Sequence, residues 1–266
     1  MILNPVNPWL QRYRPLPDPA LRLLCLPYAG AGANVFRAWP DALQAHAEVL
    51  AVQLPGRETR MQEAPITCMK TLMSQLLPAV LPWLDRDFVL FGHSMGALIA
   101  FELAHALRLR GLRMPKHLIV SGHRAPQLLR ARRELHTLPQ AEFLAELRSL
   151  GGTPNELLEN PELMDYLTPR LRADFAVCET WRYRETAALD CPITALAGEQ
   201  DELGVGALEA WRAQTRGDFR AQRFPGGHFY LQTHPELLLA AIRAELCVLD
   251  GAPRNGASKL VQYAHG

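Results

Sequence analysis

The stretch VLFGHSMGALIAFELA, residues 89–104, limits what this chain can fold into more than any other. An apolar run ends at Gly92, Ser94 follows one residue later, Gly96 comes next, and from there the apolar residues fall at helical spacing. A strand that becomes a helix within so few residues must turn sharply, and such a turn leaves little room for side chains. Gly92 and Gly96, two positions either side of Ser94, supply that room. Ser94 then stands at the start of a helix, where free backbone N–H groups and a partial positive charge collect. Strand-into-helix is also the unit from which parallel sheets are built.

The rest of the chain repeats this unit. Strands are expected at LRLLCLP (21–27), EVLAVQLP (48–55), FVLFG (88–92), HLIVSG (117–122), ITALAG (193–198) and FRAQRFP (219–225). Most are continuous apolar runs, as in strands buried on both faces. Helices are expected between them at about 36–46, 67–84, 95–110, 204–215 and 235–248, with Pro78 and Pro82 bending or shortening the second. The alternation predicts an α/β fold, a mostly parallel sheet flanked by helices. From about 123 to 185 the rhythm breaks into helical patterns with no strand. One helix there should stop at Gly151-Gly152 and another should break at Pro169. An all-helical insertion at this place reads as a lid over the sheet's edge; the alternative is that its helices complete the core. Residues 1–250 would form one domain, and the polar, glycine-containing segment 251–266 a disordered tail.

Composition excludes several classes. With 266 residues, 48% of them hydrophobic, the chain can bury a large core, and a net charge of +1 lacks the basic bias of a nucleic-acid binder. The N-terminus has no charged region followed by an apolar one, and no apolar run is long enough to span a membrane. Cys25, Cys68, Cys178, Cys191 and Cys247 are odd in number and scattered, so they read as small hydrophobes in a reducing compartment, not as disulfides or zinc ligands. The expectation is a cytoplasmic, free-standing monomer. No HExxH or clustered His/Cys set appears, and AGAGAN lacks the G-x-G-x-x-G of a dinucleotide site, so no metal or cofactor is expected.

GHSMG fits G-x-S-x-G between strand and helix, the nucleophile elbow of α/β-hydrolases. A serine hydroxyl needs a base to become a nucleophile. In this fold the partners follow in the order Ser, Asp or Glu, His, each on a loop after a late strand. His228, in RFPGGHFYL after the last strand, fits the base. The other histidines read as structural: His93 on the turn, His105 and His46 in helices, His117 and His123 flanking a strand, His136 in the insertion and His234 at a helix start. The loop GEQDELG offers Glu199, Asp201 and Glu202; Asp201 leaves the chain enough residues to turn back toward the histidine. The oxyanion hole needs two N–H donors. Met95, directly after the nucleophile, supplies one, and the small-residue loop LPYAGAGANVF supplies the other, assigned to Ala29.

With these residues in place, the chain resembles the type II thioesterases that accompany nonribosomal peptide and polyketide synthetases. The resemblance rests on LPYAGAGANVFRAWP, VQLPGRETRMQE, FGHSMGALIAFELA, LRADFAVCETWRYR, CPITALAGEQDELG and FPGGHFYL, which occur in the family's order over most of residues 20–245. It implies an editing hydrolase that frees carrier-protein phosphopantetheine thiols from stray acyl groups. The family's triad carries onto Ser94, Asp201 and His228, its oxyanion donors onto the backbones of Ala29 and Met95, and its mobile lid onto the insertion. The implied partner is an acidic acyl or peptidyl carrier protein. Arg124, Arg130, Arg132 and Arg133 in HRAPQLLRARRELH would steer it electrostatically; a solvated charged face is the competing account. Two other functions share these residues: a general carboxylesterase or lipase, and a catalytically silent carrier-binding protein on the same fold.

Overall fold

The structure, a computed structural model, describes residues 7–128, 134–152 and 155–249. Seven strands form one sheet: β1 (Leu10–Gln11), β2 (Leu21–Leu26), β3 (Glu48–Val52), β4 (Asp87–His93), β5 (His117–Ser121), β6 (Ile193–Gly198) and β7 (Phe219–Phe224), in the order β1-β3-β2-β4-β5-β6-β7. All pairings are parallel except β1 with β3. Leu26 pairs with Gly92, His93 with Ser121, and Gly198 with Phe224, so the strands end along one edge of the sheet. The loops after β2, β4, β5, β6 and β7 therefore gather there, outside the carboxyl ends of the strands, where open α/β sheets place their ligands.

The period of two along each strand sorts its side chains into two layers. On β4, Phe88 and Leu90 join the core with α2 (Met69–Val80) and α3 (Met95–Leu109). Val89 and Phe91 face the other way and join Phe36, Leu238 and Ile242. That second layer is closed by α1 (Trp39–Leu43) and by a helix, Pro235–Leu249, near the end of the described chain. Because α3 lies deep beneath the sheet, twelve of its fifteen residues are buried, and its sequence is apolar nearly all round.

The insertion holds α4 (Gln140–Leu150), α5 (Asn155–Leu158) and α6 (Pro161–Glu179). It has its own small core, with Phe143, Leu147, Leu158, Met164 and Leu171. Val177, six residues beyond Leu171 on the same helix, belongs instead to the main core. The expected stop at Gly151 is present, in left-handed geometry at φ 69°. After β6 come α7 (Val205–Glu209), then α8 (Tyr230–Thr233) and α9 (Pro235–Leu249) beyond β7.

Two local expectations are corrected, and one strand was not foreseen. The helix expected over 36–46 is a 3-10 turn, Ala33–Phe36, followed by the short α1, because Pro40 sits where a helix begins and not where one continues. The strand β1 carries no readable pattern at two residues, and its pairing to β3 is purely tertiary. The expected break at Pro169 does not occur: α6 runs through it. Pro169 and Asp165, whose carbonyl loses its helical donor, both lie on the exposed face, so that carbonyl is not stranded in the core while the buried face holds the helix in place. Pro78 is likewise inside α2, which ends before Pro82 as expected. All five cysteines are free thiols. Among the described residues no helix is long and apolar enough to cross a membrane.

Candidate active site

Ser94 has φ 53° and ψ −115°. An L-residue in such a conformation stores of order 1–3 kcal/mol of strain, and only surrounding structure can hold it there. Its N–H donates to the Ser121 carbonyl at 2.7 Å. A Cβ on Gly92 would overlap the Gly96 carbonyl, and one on Gly96 would overlap the Leu26 carbonyl, so the turn is packed backbone against backbone.

Asp201 and His228 come together across 27 positions: His228 Nδ1 lies 2.9 Å from Asp201 Oδ2. The Asp201 side chain is 4% exposed, that of His228 26%. The loops carrying them are zipped by backbone bonds, Glu199 N–H to the Phe224 carbonyl at 2.8 Å and Gln200 N–H to the Gly226 carbonyl at 3.0 Å. Gly226, at φ 103°, makes the turn that presents His228. Burial pushes the Asp201 carboxyl up, but the His228 hydrogen bond and charge, the Leu203 N–H and Arg223 outweigh it and hold Asp201 below its ordinary value. His228 lies beside the nucleophile turn: its ring centroid is 5.1 Å from that of His93, the residue before Ser94.

Met95 is the first residue of α3, so its N–H has no acceptor within the helix. In the loop after β2, neighbouring donors are committed. Gly30 N–H binds Asp174 Oδ2 at 2.7 Å, Ala31 N–H the Tyr28 carbonyl at 3.1 Å, and Ala33 N–H Gln53 Oε1 at 3.1 Å. Ala29 stands half-buried just ahead of them.

Sequence reasoning missed what braces this loop. Arg57, in LPGRE, donates to the Ala31 carbonyl at 3.0 Å and forks onto Asp174 of α6, with Nη1–Oδ2 and Nη2–Oδ1 both at 2.7 Å. Glu58, at φ 48°, accepts from Asn34 N–H at 3.3 Å. Buried charges so far apart in sequence leave no periodic signal; the hint was that both lie in blocks shared with the resembled family, VQLPGRETRMQE and LRADFAVCETWRYR. The insertion fits closely over Met95, leaving a cavity of about 10 Å³ bounded by Leu54, Arg57, Met95, Asp174 and Val177, space for about one water.

Of the four arginines expected to meet a partner, Arg124 is half-buried just after β5, while Arg130, Arg132 and Arg133 lie outside the described residues. Among the described residues no three His, Cys, Asp or Glu side chains are grouped to hold a metal.

Known proteins with this arrangement are numerous. The family model for the thioesterase domain matches residues 21–246. The gramicidin S biosynthesis protein GrsT of Aneurinibacillus migulanus is 43% identical over 230 residues, 86% of this chain and 90% of its own. Thioesterase PikA5 of Streptomyces venezuelae is 39% identical over 247 residues, 92% of this chain and 88% of its own. The structure of the type II thioesterase BorB, from the borrelidin biosynthetic cluster, superposes with a TM-score of 0.81 at 39% identity, covering 90% of this chain and 97% of that one. On sequence, fold and site together, the chain belongs to the thioesterase family.

Proposed function

We propose that this thioesterase hydrolyses stray or stalled acyl groups from the phosphopantetheine arm of carrier proteins in nonribosomal peptide or polyketide synthesis, with Ser94, His228 and Asp201 as its catalytic triad. The observation that carries the reading is the buried Asp201 carboxylate bonded to His228 at 2.9 Å, beside a strained serine at a helix start. Relatives named for gramicidin S, prodiginine and yersiniabactin biosynthesis support the pathway class.

His228 takes the Ser94 proton as Oγ attacks the thioester carbonyl, and Asp201 holds the imidazole tautomer and stabilises the imidazolium. The N–H groups of Ala29 and Met95 receive the oxyanion of the tetrahedral intermediate. Its collapse breaks the C–S bond, and the pantetheine thiolate departs as a good leaving group that His228 protonates. Water, deprotonated by His228, attacks the acyl-serine, and a second collapse returns the proton to Ser94 and releases the free acid. The carrier is acidic, and Arg124, Arg130, Arg132 and Arg133 steer it; reversing the charge of Arg132 and Arg133 then slows turnover of carrier-bound substrate and spares small thioesters.

The deciding experiment is hydrolysis of acetyl and longer acyl carrier proteins by the wild type and Ser94→Ala. Clearance by the wild type, with the variant slower by ~10⁴–10⁶, is expected. Cleavage of simple esters alone would assign a general esterase, and inertness toward both, with no labelling of Ser94 by a fluorophosphonate, a silent binding protein.

A further inference from the structure

His93 has no part in the chemistry above, yet it lies where every part of the site meets. It is covalently next to Ser94 and fully buried. Its ring centroid is 5.1 Å from His228, 5.7 Å from Tyr28, which precedes Ala29, 6.1 Å from Phe229 and 5.9 Å from Tyr230. Its Nδ1 is 2.8 Å from Ser121 Oγ, and Ser121 Oγ is 2.5 Å from the Tyr230 hydroxyl. The chain thus runs from β4 through β5 to α8, two residues past His228. Gly122, at φ 62°, leaves the space both imidazoles use: a Cβ there would come within 2.6 Å of His93 Cε1 and 3.2 Å of His228 Cε1.

We infer that His93 is a positioning residue, a neutral imidazole that fixes the His228 ring relative to Ser94 through the chain Tyr230–Ser121–His93. The Tyr230 hydroxyl donates to Ser121 Oγ, and the Ser121 hydroxyl donates to His93 Nδ1. The remaining proton of His93 then sits on the buried Nε2. Neutrality follows from the surroundings: burial, then the neighbouring His228 and His123, hold the His93 pKa well below the ordinary imidazole value, against a smaller opposing effect of the His228 main chain. Burial also keeps the Tyr230 phenol protonated, with Asp201 nearby acting in the same direction. A neutral ring packed against His228 places no cation beside the base. A chain of hydrogen bonds with a single proton order also holds the ring plane, and misplacing a reacting group by about 1 Å costs up to ~10²-fold in rate.

This rests on the triad proposed above, and the tests of the two separate. Full turnover by Ser94→Ala would remove the triad; the inference about His93 is tested with Ser94 intact. Tyr230→Phe and Ser121→Ala each break the chain, and the first keeps the buried ring in place. The expected result is a kcat lower by about tenfold or more, KM within about twofold of wild type, and a displaced acid limb in the pH profile of kcat/KM. The double variant should be no slower than Ser121→Ala, because one chain is broken only once. Wild-type kcat and acid limb in Tyr230→Phe, even with a lower melting temperature, would overturn the inference. So would losses that multiply in the double variant.

Discussion

The guanidinium of Arg57 and the carboxylate of Asp174 meet in two parallel hydrogen bonds of 2.7 Å across 117 positions of sequence. Their side chains are 5% and 3% exposed, and the same carboxylate accepts the Gly30 N–H beside Ala29. One acid of the insertion thus holds both the loop after β3 and the loop after β2. Removing one partner of a buried pair strands the other charge, at a cost of about 3–5 kcal/mol. Asp174→Ala should lose that much unfolding free energy, read from urea denaturation, and Arg57→Ala a similar amount.

Ser94 is held at φ 53° and ψ −115°, a conformation that L-residues rarely adopt. Ser94→Gly relaxes a backbone that glycine adopts freely, partly offset by the greater freedom of glycine when unfolded. It should be inactive and more stable by about 1 kcal/mol, whereas Ser94→Ala should be inactive with no such gain. Thermal denaturation of the two variants beside wild type makes the comparison.

Gly96 faces the Leu26 and Pro27 carbonyls with no room for one more carbon. Because backbone is on both sides, neither can yield as a flexible side chain would. Gly96→Ala should therefore fail to give soluble protein or lose several kcal/mol, of order 3 or more. Gly206→Ala meets nothing within 4 Å and should behave as wild type.

Stability should fall in acid, and His105 and Asp201 each contribute a loss of defined sign, beside those of the buried His93 and His117. His105 is buried, and burial followed by the nearby Arg108 lowers its pKa to about 4. As pH drops from 6.5 toward 4, the unfolded chain takes up a proton that the folded chain refuses, so stability is lost across that window. His105→Leu should reduce the slope of stability there, measured by urea denaturation at several pH values, with the remainder left to His93 and His117. Asp201 contributes its own loss. Its folded pKa lies below 3.8, so its contribution is complete above 3.8 and is lost as pH falls through the folded value. Asp201→Asn should remove this loss and lower kcat by ~10⁴.

Those residues whose role is set by local pattern were legible. The apolar runs at 21–26, 117–121 and 193–198 are strands because their neighbours on both faces are apolar too, and burial of both faces leaves a continuous signature. Ser94, Asp201 and His228 could be singled out because each follows a strand, and strand ends can be counted. The geometry joins Asp201 to His228 and sets the His228 ring beside His93 on the serine turn. What pattern could not show is pairing between distant polar groups. Arg57 and Asp174 look like surface charges, and His93, Ser121 and Tyr230 share no spacing. Pro169 misled in the opposite direction, since a local rule ends the helix there while packing further along carries it on.

That continuation has a mechanical meaning. Before Pro169, Met164 of α6 shares a core with α4 and α5, and Leu171 just beyond it still does; farther on, Asp174 and Val177 are built into the body of the enzyme. The helix is therefore half flap and half doorpost. Any opening that keeps the post standing must pivot before Asp174, and one at Pro169, where the missing hydrogen bond makes the helix easiest to flex, must also part Leu171 from the small core. The arm that swings is then α4, α5 and the first turns of α6, and the loop that bears Ala29 stays fixed while the doorway changes shape.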